Sequence, residues 1–173
     1  IFITSQKSFR PNIWSKLRKL ADTAMGKEIE RKFLVTDESY KAMAVEKHRI
    51  VQGYISRRKE GTVRVRIYDT SGFLTVKGAN DGIVRNEWEY QVPVNDAEEM
   101  LDNVCEGHPL EKVRWIVDYQ GFRWEIDEFG GRLAPLVVAE VELDEDGVIP
   151  PLPPFVGREV SGDPQYYNSN LRP

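Results

Sequence analysis

Apolar and polar residues alternate with a period of two along eight runs of the chain: 28–35, 49–57, 62–68, 72–78, 83–92, 110–118, 121–128 and 136–143. Successive side chains of a strand point to opposite faces, so this pattern predicts eight half-buried β-strands. Gly61, Thr70-Ser71-Gly72, Asn80-Asp81-Gly82, Gln120-Gly121 and Gly130-Gly131 lie between or beside the runs, where residues that tolerate positive φ permit tight antiparallel turns. Helical signals are fewer. Asn95 followed by Glu98 has the spacing of a capping box, Ala97, Met100, Leu101 and Val104 form an apolar stripe behind it, and Gly107 can end the helix. Asp37 is placed to cap a short helix through about Val45, and Asp163-Pro164 has the form of a cap and first helical position. A proline-rich connector spans 149–154. The fold class predicted is mainly β (α+β), an antiparallel meander with a few short helices.

Sorting each run by alternate positions separates two surfaces. One carries Ile29, Phe33 and Val35; Val63, Val65 and Ile67; Leu74 and Val76; Trp88, Tyr90 and Val92; Val113, Trp115 and Val117; Phe122, Trp124 and Ile126; and Val137, Ala139, Val141 and Leu143. The other carries Glu28, Glu30 and Lys32; Arg64 and Arg66; Thr75 and Lys77; Arg85, Glu87 and Glu89; Lys112 and Arg114; Arg123, Glu125 and Asp127; and Glu140 and Glu142. Any one of these charged pairs describes a strand facing water. Their recurrence is different, because a solvated face mixes Ser, Thr, Gln and Lys, whereas Arg and Glu dominate here strand after strand. Eight antiparallel strands can close into a barrel. Closure with the charged face inward makes a polar tunnel, its apolar exterior covered by the helices and by a partner subunit, a homodimer being the arrangement considered.

Composition narrows the classes. With 173 residues, 40% of them hydrophobic, the chain can build one sizeable core. A net charge of −4 argues against a nucleic-acid partner, which needs a basic surface. The single cysteine, Cys105, excludes an internal disulfide framework and a cysteine-based zinc site, and suits a reducing cytoplasm. No apolar run approaches the roughly 20 residues that span a bilayer, so no membrane partner is expected. Residues 1–24 hold five Lys or Arg against one Asp, while the remainder holds 19 basic and 27 acidic residues. Residues 1–24 read as a leader of artificial origin, with Met25 as the natural start and 25–173 as one domain. The rival reading is a targeting or membrane-surface segment, a short basic amphipathic helix with Trp14, Leu17 and Leu20 beside Lys16, Arg18 and Lys19.

The charged interior has an identifiable chemistry. Carboxylates are hard oxygen ligands suited to Mg²⁺ or Mn²⁺, and Arg and Lys bind phosphoryl oxygens through charge-assisted hydrogen bonds. A polyphosphate of roughly four negative charges needs several cations, and its divalent ion needs anionic ligands beside the reacting phosphorus.

The stretch from Met25 to Val35, with Glu28, Glu30 and Lys32 in the order Glu-x-Glu-x-Lys, resembles the opening strand of the CYTH, or triphosphate tunnel metalloenzyme, superfamily. Further stretches resemble its small bacterial members in order: Gln52-Gly53-Tyr54, Thr62 to Arg66, Leu74 to Lys77, Arg85 to Glu89, Glu111 to Arg114, Trp124 to Asp127, Ala139 to Glu142 and Tyr166-Tyr167-Asn168. The resemblance implies an eight-stranded antiparallel tunnel that hydrolyses inorganic triphosphate, thiamine triphosphate or nucleoside triphosphates, or cyclises ATP. It implies metal ligands at Glu28, Glu30, Glu140 and Glu142, with Glu87, Glu89, Glu125 and Asp127 as further contributors. It implies a phosphate cradle of Lys32, Arg64, Arg66, Lys77, Arg85, Lys112 and Arg114. Lys32 and Tyr54 are implied as a catalytic pair that positions or deprotonates the attacking water, with the direction of proton transfer open.

A small-molecule triphosphate, with inorganic triphosphate favoured by the compact chain, is the substrate expected. A non-catalytic polyphosphate sensor and a structural barrel are the competing classes. His48, His108 and Cys105 are read as surface or packing residues. Trp88, Trp115 and Trp124 share the apolar parity and read as core, and no glycine-rich turn has the spacing of a P-loop.

Overall fold

A computed structural model describes residues 26–79 and 81–172; the leader, Met25 and Asn80 lie outside the described residues. The strands are β1 Gly26–Val35, β2 Glu46–Arg58, β3 Gly61–Tyr68, β4 Ser71–Gly78, β5 Val84–Val92, β6 Leu110–Tyr119, β7 Phe122–Phe129, β8 Val137–Glu142 and β9 Val156–Glu159. Helix α1 is Tyr40–Met43 and α2 is Val94–Asn103, with 3₁₀ turns at Gly131–Leu133 and Pro164–Tyr166. The eight predicted strands are all present, each within a few residues of its run.

Hydrogen-bonded order runs β5-β4-β3-β2-β6-β7-β8-β1, and β1 pairs back onto β5, which closes the barrel with every contact antiparallel. The ninth strand was not foreseen. It continues where β5 leaves β1: β5 pairs with Gly26–Ile29, and β9 takes the same edge at Phe33 and Val35. A four-residue strand after a proline-rich connector is too short for an alternation signal.

The apolar parity faces outward and is covered by the chain itself over most of its extent. Ile29, Phe33, Val117, Trp124, Ile126, Ala139, Val141 and Leu143 form one cluster with Tyr40 of α1 and Phe155, which stands between the connector and β9. Phe33 and Trp124 lie 5.5 Å apart between ring centroids, and Tyr40 meets Trp115 and Phe155 edge-on. Helix α2 covers the opposite side, packing Ala97 and Leu101 on Val65. Gly53 permits that approach, since a Cβ there would stand 2.6 Å from Cys105 Sγ. On β5 the cover ends, and Tyr90 is 53% exposed.

Two local expectations are corrected. Asn95 lies inside α2 and caps nothing: Pro93 is the boundary residue, with ψ of 139°, and its carbonyl accepts from Ala97 N at 3.1 Å. Asp37 accepts from Ser39 N at 2.8 Å in a turn, and the helix after it is only four residues long. Asp163 does cap its turn, accepting from Gln165 N at 3.0 Å with Pro164 in the first position. Among the described residues no helix is long and apolar enough to cross a membrane.

Candidate active site

The inward parity of the barrel wall lines a cavity of about 610 Å³. Strand register alone assembles much of it. Glu30 stands opposite Glu142 and Lys32 opposite Glu140 across β1–β8; Glu28 opposite Arg85 across β1–β5; Lys77 opposite Glu87 and Thr75 opposite Glu89 across β4–β5; Arg64 opposite Tyr54 across β2–β3. Of the residues predicted from sequence, Glu28, Glu30, Lys32, Tyr54, Arg64, Arg66, Lys77, Arg85, Glu87, Glu89, Arg114, Glu125, Glu140 and Glu142 all line this one space.

Lys112 and Asp127 do not line it. Their side chains are 1% and 0% exposed, with Lys112 Nζ 2.5 Å from Asp127 Oδ2. Asp127 also accepts from Arg114 Nε and Nη2, both at 2.7 Å. The bidentate fork fixes the plane of the guanidinium, so Asp127 acts in this arrangement as an anchor for Arg114. Burial pulls the Lys112 ammonium down to about 8, against the neighbouring Asp127 carboxylate. Beyond this pair the same parity turns apolar: Leu110, Phe129 and Val138 pack with Leu171 and plug that end of the barrel.

Within the cavity the two signs are interleaved at contact distance. Lys32 Nζ is 2.6 Å from Glu140 and 3.4 Å from Glu30. Lys77 Nζ lies 3.0 Å from Glu28 and 2.7 Å from Glu87, and Arg85 also bonds Glu28. Arg64 and Arg66 share Glu89 at 3.2 and 2.9 Å, and Thr75 donates to the same carboxylate at 2.6 Å. Arg114 reaches Glu140 at 3.1 Å and bonds Glu125. Arg64 and Arg66 each keep a buried Nε–H without a partner among the described residues.

Burial opposes charge on Glu28 and Glu140, yet Lys77 and Arg85 hold the first well below the usual carboxylate range, and Lys32 and Arg114 do the same for the second. Burial likewise opposes the Lys32 ammonium, and Glu140 and Glu30 outweigh it, so its pKa rises. Tyr54 is pushed up by burial, against the pull of Arg64, Arg85 and Lys32. Two carboxylates go the other way. Loss of water and the proximity of Glu140 raise Glu30, while desolvation and the crowding of Glu28, Glu125, Glu87 and Glu30 push Glu142 up to about 7.

That contrast bears on metal binding. Among the described residues no three acidic, histidine or cysteine side chains converge on one point, because most of the carboxylates are engaged by cations. The donor chemistry nonetheless fits a hard divalent ion. All candidate ligands are carboxylate oxygens, and the register partners Glu30 and Glu142 are the two whose ionisation burial and neighbouring carboxylates oppose, an opposition that a bound cation would relieve.

Several lining residues were not assigned from sequence. Ser161 and Gly162 are brought in by β9, where Lys32 N donates to Ser161 Oγ at 2.9 Å. Tyr167, Asn168 and Ser169 follow from the C-terminal segment, and Phe122 and Arg123 from the β6–β7 hairpin. The alternation did mark Arg123; the C-terminal residues lie outside any periodic run and carry no such signal.

A closed antiparallel barrel with interleaved carboxylates and cations along its bore defines a tunnel protein built for a polyanion and its counter-ion. The chain belongs to the CYTH domain family, whose model matches residues 26–167. It is 48% identical over 147 residues to an inorganic triphosphatase of Acetivibrio thermocellus, covering 85% of this chain and 94% of that protein. It is 39% identical over 155 residues to an inorganic triphosphatase of Nitrosomonas europaea, covering 83% and 95%. Among solved structures, an inorganic triphosphatase superposes with a TM-score of 0.58 at 32% identity, covering 83% of this chain and 95% of that one.

Proposed function

We propose that this protein is a divalent-metal-dependent triphosphatase that hydrolyses inorganic triphosphate by attack of water on a terminal phosphoryl group. The observation that carries the reading is the single cavity in which Lys32, Arg64, Arg66, Lys77, Arg85 and Arg114 face the carboxylates of β1, β5 and β8. Both relatives named above are inorganic triphosphatases and are matched over nearly their whole length.

The cations cradle the phosphoryl oxygens, exchanging their carboxylate partners for phosphate. Arg64 and Arg66 bring the Nη2 groups that now bond Glu89 to that exchange. Glu28, Glu30, Glu140 and Glu142 would hold the metal, Mg²⁺ or Mn²⁺, with Glu87, Glu89 and Glu125 beside them. The ion supplies charge neutralisation and polarisation of the reacting phosphoryl group. Lys32 is held as an ammonium by Glu140 and Glu30, which suits it to orient water and substrate oxygens and not to accept a proton. Tyr54, buried to 4% exposure, lines the same space. A homodimer through the outer face of β5, where Tyr90 is exposed, completes the proposal and is checked by size-exclusion chromatography.

Glu28→Ala and Glu140→Ala are expected to lose metal-dependent phosphate release by on the order of 100-fold. Arg66→Ala is expected chiefly to raise KM. Wild-type turnover in both carboxylate variants would discard the acidic end as the metal site. A sensor of polyphosphate would bind inorganic triphosphate and release no phosphate with any metal.

A further inference from the structure

Gln52 is fully buried on β2, two residues before Tyr54, so both side chains stand on the same face of the strand. Its Nε2 donates to Tyr54 Oη at 3.2 Å. Tyr54 lines the cavity and Gln52 does not, so the amide reaches the phenol from within the wall. The phenol is held on its other sides as well. The Arg57 guanidinium lies 4.9 Å from the Tyr54 ring centroid and donates to the Ser169 and Glu106 carbonyls at 3.2 and 3.1 Å. The β2–β3 register slips between Tyr54 and Ser56, a bulge of the kind that re-aims a side chain.

A phenolic oxygen accepts and donates, and its proton turns to suit its partners. With the Gln52 N–H on one side of Oη, the Tyr54 proton takes the other side. The amide is also costly where it sits, because Gln52 Oε1 is buried with no partner among the described residues. An apolar side chain of similar length would fill the wall without that cost.

Resting on the assignment of Tyr54 to the reaction, we propose that Gln52 is a positioning residue for turnover: its amide N–H fixes the Tyr54 hydroxyl with the proton directed into the cavity. Gln52 touches neither substrate nor metal and acts through Tyr54 alone.

The test is a double-mutant cycle on the full chain, with inorganic triphosphate and Mg²⁺ as the probe. Gln52→Met removes the donor at nearly constant volume, and Gln52→Glu replaces it with an acceptor; kcat and KM are measured in the Tyr54 and Tyr54→Phe backgrounds, with thermal melting alongside. In the Tyr54 background Gln52→Met should lower kcat about tenfold, the worth of one buried hydrogen bond, with KM little changed and melting at or above wild type. Gln52→Glu should cost at least as much. In the Tyr54→Phe background, where no hydroxyl remains to be fixed, neither change should lower kcat further. An equal loss in both backgrounds, or a loss confined to KM, overturns the inference. Wild-type kcat in Tyr54→Phe would remove Tyr54 from the reaction and this inference with it. The triphosphatase reading is judged separately, by phosphate release from the wild-type protein.

Discussion

Lys32 Nζ lies 2.6 Å from Glu140 Oε1, on positions that the β1–β8 ladder sets directly opposite each other. Both side chains are nearly inaccessible, so the pair is an internal charge contact in which each ion depends on the other.

Removing one partner exposes that dependence. Lys32→Met leaves Glu140 buried with Arg114 as its remaining close cation, and is expected to destabilise the metal-free protein by about 3 kcal/mol. Lys32→Arg should retain most of the stability while losing activity through changed geometry. Chemical denaturation and phosphate release on the same samples check both expectations.

Glu142 gives the pH dependence. Its carboxyl stands at about 7 in the folded protein, above its ordinary 4.5, so the folded state holds the extra proton between those values. Stability therefore falls as pH rises through that window, and the deficit is complete above about pH 7. Glu142→Gln should raise metal-free stability near pH 8 by about 1 kcal/mol, allowing for the exposure of the side chain, and change it little below about pH 4.5. In the wild type, Mn²⁺ affinity should strengthen from pH 6 to pH 8 as the proton leaves, and the Gln variant should show a flatter dependence. Melting curves and Mn²⁺ titration across pH measure the two effects.

Asp127 separates anchor from ligand. Its carboxylate is spent on Arg114 and Lys112, so Asp127→Asn should lower stability and raise KM for triphosphate while Mn²⁺ affinity stays within about twofold of wild type. Glu30→Gln should show the reverse, with Mn²⁺ affinity down about tenfold or more. A tenfold loss of Mn²⁺ affinity in Asp127→Asn would restore it to the metal set.

The sequence made the barrel and its polarity legible because a strand writes both of its faces into alternate positions. Glu28, Glu30 and Lys32 beside Ile29 and Phe33 fix which side of β1 is the bore, and the same parity carries through Arg64, Glu87 and Glu140. Depth along the bore is not written in that alternation. Lys112 and Asp127 share the inward parity with Arg114 but sit behind it, toward the plug of Leu110, Phe129 and Val138, and only the closed geometry shows this. Nor does period two reach the segments that enter the cavity without being long strands. Ser161 arrives because β9 zips onto the edge of β1 vacated by β5, and Tyr167 to Ser169 follow it. At α2 the Asn95-Glu98 pair mimicked a cap because the spacing is correct but falls two residues too late; Pro93, which supplies the first acceptor carbonyl, sets the start.

The most direct test is phosphate release by the full chain with Mg²⁺ or Mn²⁺ across a panel of inorganic triphosphate, thiamine triphosphate and ATP. Metal-dependent release should be fastest by far with inorganic triphosphate and absent with chelator. Tight binding of inorganic triphosphate without turnover, or cyclic AMP as the main product from ATP, would contradict it.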